Sequence, residues 1–394
     1  MIQISEKENC CGCTACMSVC AHHAITMELD NLGFKYPVVN EALCVNCGLC
    51  ESVCAFNDLY DKTKNLDTPE IYAVRHKQIH EIEKSRSGAA FIALSDWIIE
   101  NGGVVYGAGY TDHFRVVHKR ATSKEERDEF RGSKYVQSDL TNTFKKVRED
   151  LKQGLYVLFS GTPCQTAGLR SYIGKKLSGK FYLVDIICHG VPSPSVWKDY
   201  ISYTEIKERH RIVKVNFRDK KFGWRAHRES FVFDNGEEKN YDIYTYLFYQ
   251  HIILRKSCGS CYYTNLQRPS DITIGDFWGW EKTDQNFNID DKGCSLLFCN
   301  TKKGRDLFNS KREDLNSIPV NIGDCLQPNL QHPSILNSKM NSFENDYIKK
   351  GFGYVLYRYG NLGVRYKYRR IYHNMHFKCI HTAKTILNII LRKK

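Results

Sequence analysis

Two things are missing from this 394-residue chain: a long apolar run and, past Gly351, any acidic residue. No stretch approaches the ~18 apolar residues that cross a bilayer, so a membrane-spanning protein is not expected. The opening MIQISEKENCC carries charges where a signal peptide would have an apolar centre, so no leader is expected. With no sign of export, disulfides are not expected either, and the reading is a cytoplasmic protein in a reducing compartment. Low-complexity tracts are also absent. A hydrophobic content of 42% is that of an ordinary globular chain, long enough for two or three domains.

What the chain has in excess is cysteine, 17 in all. Cys10, Cys13, Cys16 and Cys20 form a C-x2-C-x2-C-x3-C run, and Cys44, Cys47, Cys50 and Cys54 repeat it. This is the spacing of a bacterial two-cluster ferredoxin, in which the fourth cysteine of each run ligates the other cluster. A short loop can wrap three corners of a cubane, and the fourth ligand must come from elsewhere. On that rule Cys10, Cys13, Cys16 and Cys54 hold one 4Fe–4S cluster, and Cys44, Cys47, Cys50 and Cys20 hold the other. Zinc uses C-x2-C pairs, but the doubled x3 tail exceeds what a tetrahedral site needs. Ala21 and Ala55 stand where a proline normally follows the fourth cysteine. That proline shapes the backbone and does not ligate. Cys11 is spare and reads as a buried thiol beside the cluster.

The formal net charge is +13. Much of the excess follows Gly351, as Arg358, Arg365, Lys367, Arg369, Arg370, Lys378, Lys384, Arg392, Lys393 and Lys394. The stretch reads as a basic helical tail, either solvated or docked on an acidic partner or an anionic membrane surface. Nucleic acid is not an expected partner, because no binding motif accompanies the charge.

Residues 1–60 are expected to be the ferredoxin module, with Tyr60 to Glu70 as a polar linker. A strand from Ile71 follows, then a helix from Ala89 stopped by Gly102-Gly103. Ser85-Arg86-Ser87-Gly88 enters that helix and suits a phosphate, though such residues also cap helices with no ligand. Two strands lie between Gly102 and Ala121. The loop Arg131 to Ser138 could grip a phosphate and stack on a ring, or be a plain turn. A helix from Phe144 to Leu151 precedes a buried strand, Leu155 to Phe159, ending at Cys164. The strand FYLVDIIC ends at Cys188-His189. Further strands are expected at Val213 to Arg218, Arg228 to Phe233, around Ile272 and at SLLFCN, with helices at Tyr244 to Leu254 and Lys303 to Phe308. Cys164, Cys188, Cys258 and Cys261 together make four thiolates, enough for a third 4Fe–4S cluster, with zinc as the competitor. Cys164 at a helix start could instead be a nucleophile. His189 could orient a thiolate or protonate a substrate, or be a satisfied core residue. Cys294, Cys299, Cys325 and Cys379 read as core thiols.

The strings SRSGAAFIAL, RGSKYVQS, FSGTPCQTAGL, DIICHGVPSPSVW and CGSCYYTNLQRPSDITIGDFWG occur in order over about residues 70 to 300. They resemble the coenzyme F420 hydrogenase/dehydrogenase beta-subunit family. The resemblance implies an α+β chain, with a ferredoxin-like two-cluster module, a mixed α/β flavin-binding catalytic domain and the basic tail. The divisions expected are 1–60, 61–150 (the family's N-terminal region), 151–330 (its C-terminal region) and 331–394. It further implies FAD exchanging hydride with a small substrate and single electrons with clusters. By the matching motifs, Ser87, Gly88 and Ala89 would meet the flavin phosphates, and Ser133, Lys134, Tyr135 and Gln137 would line the flavin or substrate pocket. The four grouped cysteines would hold the flavin-proximal cluster. Expected partners are a ferredoxin or other redox protein and a small molecule. The resemblance leaves the substrate open between deazaflavin chemistry and surface polysaccharide assembly. A non-catalytic electron-transfer subunit of a larger complex is the alternative.

Overall fold

The computed structural model describes residues 1–57 and 60–362. Cys379 and the basic residues from Arg365 to Lys394 lie outside the described residues. Packing divides the chain into two units, Met1–Ser338 and Lys339–Lys394. In the second unit the helix Met340–Tyr359 bends at Gly351, whose φ is +78°. Arg358, the first of the basic residues, pairs with Asp346 at 3.1 Å.

In the first unit the strands are, in chain order, β1 (Ile25–Leu29), β2 (Lys35–Val39), β3 (Asn65–His76), β4 (Val104–Tyr110), β5 (Val116–Ala121), β6 (Val157–Gly161), β7 (Phe181–Ile186), β8 (Ile212–Asn216), β9 (Glu229–Phe233), β10 (Glu238–Tyr241), β11 (Ile272–Asp276), β12 (Ser295–Thr301) and β13 (Leu315–Pro319). β1 and β2 form a hairpin between the two cysteine runs, and β8 to β10 make a three-stranded antiparallel sheet. The remaining eight join in the order β13-β3-β12-β11-β7-β6-β4-β5. Its centre is parallel, β4 to β6 to β7 to β11, and its flanks are antiparallel. A single sheet therefore takes strands from both sides of residue 150.

The period of two along each strand decides what packs where. Val104, Tyr106, Val157, Phe159 and Leu183 face one way, against the helices Thr143–Lys152 and Pro163–Ile173. Cys11, Cys13, Ala15, Val53 and Phe56 of the ferredoxin region belong to that same core. Val105, Leu158, Val184 and Leu297 face the other way, against helices Ala90–Glu100 and Lys302–Asn309. The ferredoxin region is thus built onto one face of the sheet. Gly168 fixes how closely: a Cβ there would stand 2.6 Å from Cys13 Sγ.

The expected linker is shorter than its composition implies. Asn65 to Glu70 already pair with β12, and their polar side chains are half exposed where β3 runs on beyond β13.

Candidate functional site

Both N-terminal cysteine runs fold alike. Each passes through two left-handed residues at matching offsets, Gly12 (φ +70°) and Thr14 (φ +68°) in the first, Asn46 (φ +55°) and Gly48 (φ +74°) in the second. A short helix follows each pair, Ala15–Val19 and Leu49–Ser52. Positive φ curls the chain enough to turn successive thiols to one side, and glycine or asparagine adopts it at least cost. One hollow is lined by Cys10, Cys13, Cys16 and Cys54, another by Cys20, Cys44, Cys47 and Cys50. The fourth cysteine of each run thus stands with the other run. Main-chain N–H groups point at sulfur, from Gly12 to Cys10 (3.4 Å) and from Ile2 to Cys50 (3.3 Å). The second hollow is the outer one, with Cys47 exposed beside exposed Leu43, Val45 and Leu49.

A third hollow is lined by Cys164, Cys188, Cys258 and Cys261. Its thiols come from three places in the fold. Cys164 opens the helix after β6, where Thr162 and Gln165 form a capping box, and Cys188 follows the end of β7. Cys258 lies within a helical turn, Lys256–Ser260, and Cys261 caps its end. Carboxyl ends of adjacent parallel strands gather such loops on one edge of the sheet. The buried pair Arg268–Asp185 (2.9 Å) ties the Cys261 loop to the strand that leads to Cys188, and Arg268 also donates to Ile186 O at 3.0 Å. Val191 N–H points at Cys258 Sγ at 3.4 Å.

Burial pushes the Cys258 and Cys261 thiols up to about 12 and Cys188 well above its usual range. Thiols so held are poor nucleophiles and ionise when a metal takes the place of the proton. Cys164 differs: hydrogen bonding with Cys11 draws it down to about 7. Cys11 itself contacts both Cys13 and Cys164 and lines the first and third hollows. Among the described residues, no three Cys, His, Asp or Glu side chains converge to hold a single metal ion. The thiols ring spaces rather than a point.

Cys188, His189, Gly190, Val191 and Asn329 also line a much larger pocket, of about 510 Å³. That size is in the range of cofactor and ligand sites. Ser87, Ala89, Ser133, Lys134 and Tyr135 lie in its wall. Ala89 takes φ +63° immediately before helix Ala90–Glu100, a strained conformation of the kind kept at functional loops. Gly88 and Gln137 do not line the pocket. Gly88 is pressed against β3 and β12, where a Cβ would stand 2.0 Å from Val74 O. Gln137 turns the other way, donating to Cys11 O at 2.9 Å and accepting from Arg255 at 2.9 Å. The amide was legible in the motif, but the direction it faces was not.

The pocket wall also carries Arg218, Asp276, His118, His227 and Tyr249, which sequence reasoning passed over. Arg86, Arg131, Lys134 and Arg218 face it against one acid, Asp276. Asp276 binds Arg218 and lies 3.9 Å from Arg86. Burial lowers Lys134 to about 8 and draws His118 and His227 down to about 4, so both imidazoles are neutral at pH 7. Tyr249 and His227 share a hydrogen bond of 2.6 Å at the pocket wall. Arg86 stood in the Ser85 to Gly88 loop read as suiting a phosphate, whereas the only signal for Asp276 was its place inside a family string.

Residues 9–57 match the model of a 4Fe–4S dicluster domain. Residues 155–319 match the model for the C terminus of the beta subunit of coenzyme F420 hydrogenase/dehydrogenase. No curated protein matches the chain at a significant level. A chain of the F420-reducing [NiFe] hydrogenase complex from Methanosarcina barkeri is 18% identical, with 78% of this chain and 97% of that one covered and a TM-score of 0.45. Among the described residues no helix is long and apolar enough to cross a membrane. Two segments of this chain are therefore similar to known families, residues 9–57 to 4Fe–4S dicluster domains and residues 155–319 to the C terminus of coenzyme F420 hydrogenase/dehydrogenase beta subunits.

Proposed function

We propose that the chain is an iron–sulfur flavoprotein oxidoreductase that passes electrons between a redox protein and a small substrate. The observation that carries this reading is a row of four spaces with shared walls. Cys16 and Cys50 pack together between the outer hollow and the next. Cys11 and Phe56 border that one and the third, and Cys188 to Val191 border the third and the large pocket. Three 4Fe–4S clusters, on the cysteine sets named above, would occupy the hollows. The large pocket would take FAD, whose two phosphates suit the cationic wall and the edge at Ser87 and Ala89, where a helix N-terminus opens. Bound FAD would supply the exchange of hydride for single electrons.

The chain's own residues do the rest. Exposed Leu43, Val45 and Leu49 around Cys47 offer a small apolar face for the electron-carrying partner. Arg86 and Arg218, each bound to neighbouring carbonyls, present charge to the pocket without freedom to move. The Tyr249–His227 pair stands at the wall as a candidate proton donor to a substrate, sugar-linked in the polysaccharide-assembly reading. Purification under argon, with iron and flavin counted per chain, tests the proposal. About twelve irons and one flavin are expected. Protein that contains no flavin and cannot be reconstituted with it would sink the reading and leave an electron relay.

A further inference from the structure

One cation in this row has no carboxylate. Arg255, three residues before Cys258, is fully buried and lines the third hollow. Its Nε donates to Cys10 O at 2.7 Å, one Nη to Gln137 Oε1 at 2.9 Å and the other to Lys35 O at 2.9 Å. All three acceptors are neutral. The guanidinium lies 4.2 Å from the Tyr36 ring centre and 5.4 Å from that of Phe34, contacts that offset burial only in part. Among the described residues, no Asp or Glu pairs with it. The other arginines buried to this degree are paired, Arg127 with Asp96 (2.7 Å) and Asp128 (3.0 Å), Arg268 with Asp185 (2.9 Å). A buried charge with no opposite charge is strongly disfavoured, so Arg255 requires an anion that the side chains do not provide.

Its position names that anion. Arg255 reaches the main chain of Cys10 on one side and faces the Cys164 set on the other. Its Nη1 would stand 2.9 Å from a Cβ at Gly12, so the first loop is shaped around it. A 4Fe–4S cluster with four thiolates is a net anion, and fixed charge in a low dielectric sets its potential. We propose that Arg255 is the counter-cation shared by the two inner cluster sites, Cys10/Cys13/Cys16/Cys54 and Cys164/Cys188/Cys258/Cys261, and raises the reduction potential of both. The inference rests on the cluster reading above. By favouring the reduced, more negative state of the inner sites, Arg255 draws electrons inward from the outer one.

The test uses full-length protein purified without oxygen, iron counted first, then cluster potentials by EPR-monitored redox titration. In Arg255→Met, two clusters should move to more negative potential while the third, outer one stays. Arg255→Lys keeps the charge but not the three-way fork, and should restore most of the shift. Unchanged potentials in an iron-complete Met variant overturn the proposal. Should Arg255→Met lose inner-site iron, the Lys variant decides. Iron retained by Lys supports the charge, and iron lost from both reduces Arg255 to a hydrogen-bonding role and overturns it. A parent protein with only about eight irons would refute the third cluster and with it the sharing, and would leave Arg255 as counter-cation of the Cys10/Cys13/Cys16/Cys54 site alone only if Arg255→Met then shifts one cluster of two.

Discussion

The two N-terminal thiol sets and the set at the sheet edge are made by different means. Cys10 to Cys54 occupy one short stretch, and left-handed residues at Gly12, Thr14, Asn46 and Gly48 turn the thiols inward locally. Cys164, Cys188, Cys258 and Cys261 share no such loop. They meet because β6 and β7 are parallel neighbours and because Arg268 and Asp185, both buried, pin the later loop to the earlier strand. The first kind of site is encoded by spacing and is carried wherever the stretch goes. The second is encoded by the fold and fails with it. The difference also sorts the thiols chemically, since Cys47 is exposed whereas burial holds Cys258 and Cys261 protonated until metal binds.

The largest expected effect breaks each site separately. Cys258→Ser should remove about four irons and leave about eight, and Cys47→Ser should do the same at the other end of the row. Iron and EPR spectra should show different clusters missing in the two variants. An unchanged iron count in Cys258→Ser would mean that the sheet-edge thiols are only core residues.

The next effect should fall on the sheet-edge site alone. Arg268→Met leaves Asp185 buried without its cation, at a cost of about 3–5 kcal/mol in stability. Thermal unfolding measures that loss. Because Arg268 acts on the fold-built site, the same variant should lose sheet-edge iron first while the N-terminal iron stays. Equal loss from all sites would erase the distinction drawn between local and fold-built thiols.

How much of this was legible follows the same division. The doubled cysteine spacing was legible because it is local. So was most of the sheet, since buried strands such as Leu155 to Phe159 are short apolar runs bounded by turns. β10 and β13 were not foreseen, being short and half polar. The helix expected to reach Leu254 stops at Tyr249, because His251 takes φ +55° and turns the chain toward Arg255. The grouping of Cys164 with Cys188, Cys258 and Cys261 depended on resemblance and on the order of strand ends. Arg255 could not be singled out at all. Its meaning lies in contacts to Cys10 and Lys35, more than two hundred residues away.

The smallest effect concerns acid. His22 and His23, beside the first cysteine run, are exposed, whereas His118 is buried in the sheet, stacked on Phe159 at 4.8 Å with Nε2 3.0 Å from Ser160 O. Burial lowers His118 from its ordinary value near 6.5 to about 4. The unfolded chain takes up this proton as pH falls below about 6.5, and the folded chain does not until about 4. Stability is therefore complete above about pH 6.5 and falls on acidification, by about 1 kcal/mol from this residue at about pH 5.5. His118→Phe keeps the stack and removes the titration. Unfolding measured at about pH 7.5 and about pH 5.5 should show the parent losing roughly 1 kcal/mol more than the variant, because only the parent bears this penalty. The N-terminal cluster spectra should change equally in both proteins over the same interval. A slope identical in parent and variant would mean that acid acts elsewhere in the sheet, with the ring at 118 a packing residue only.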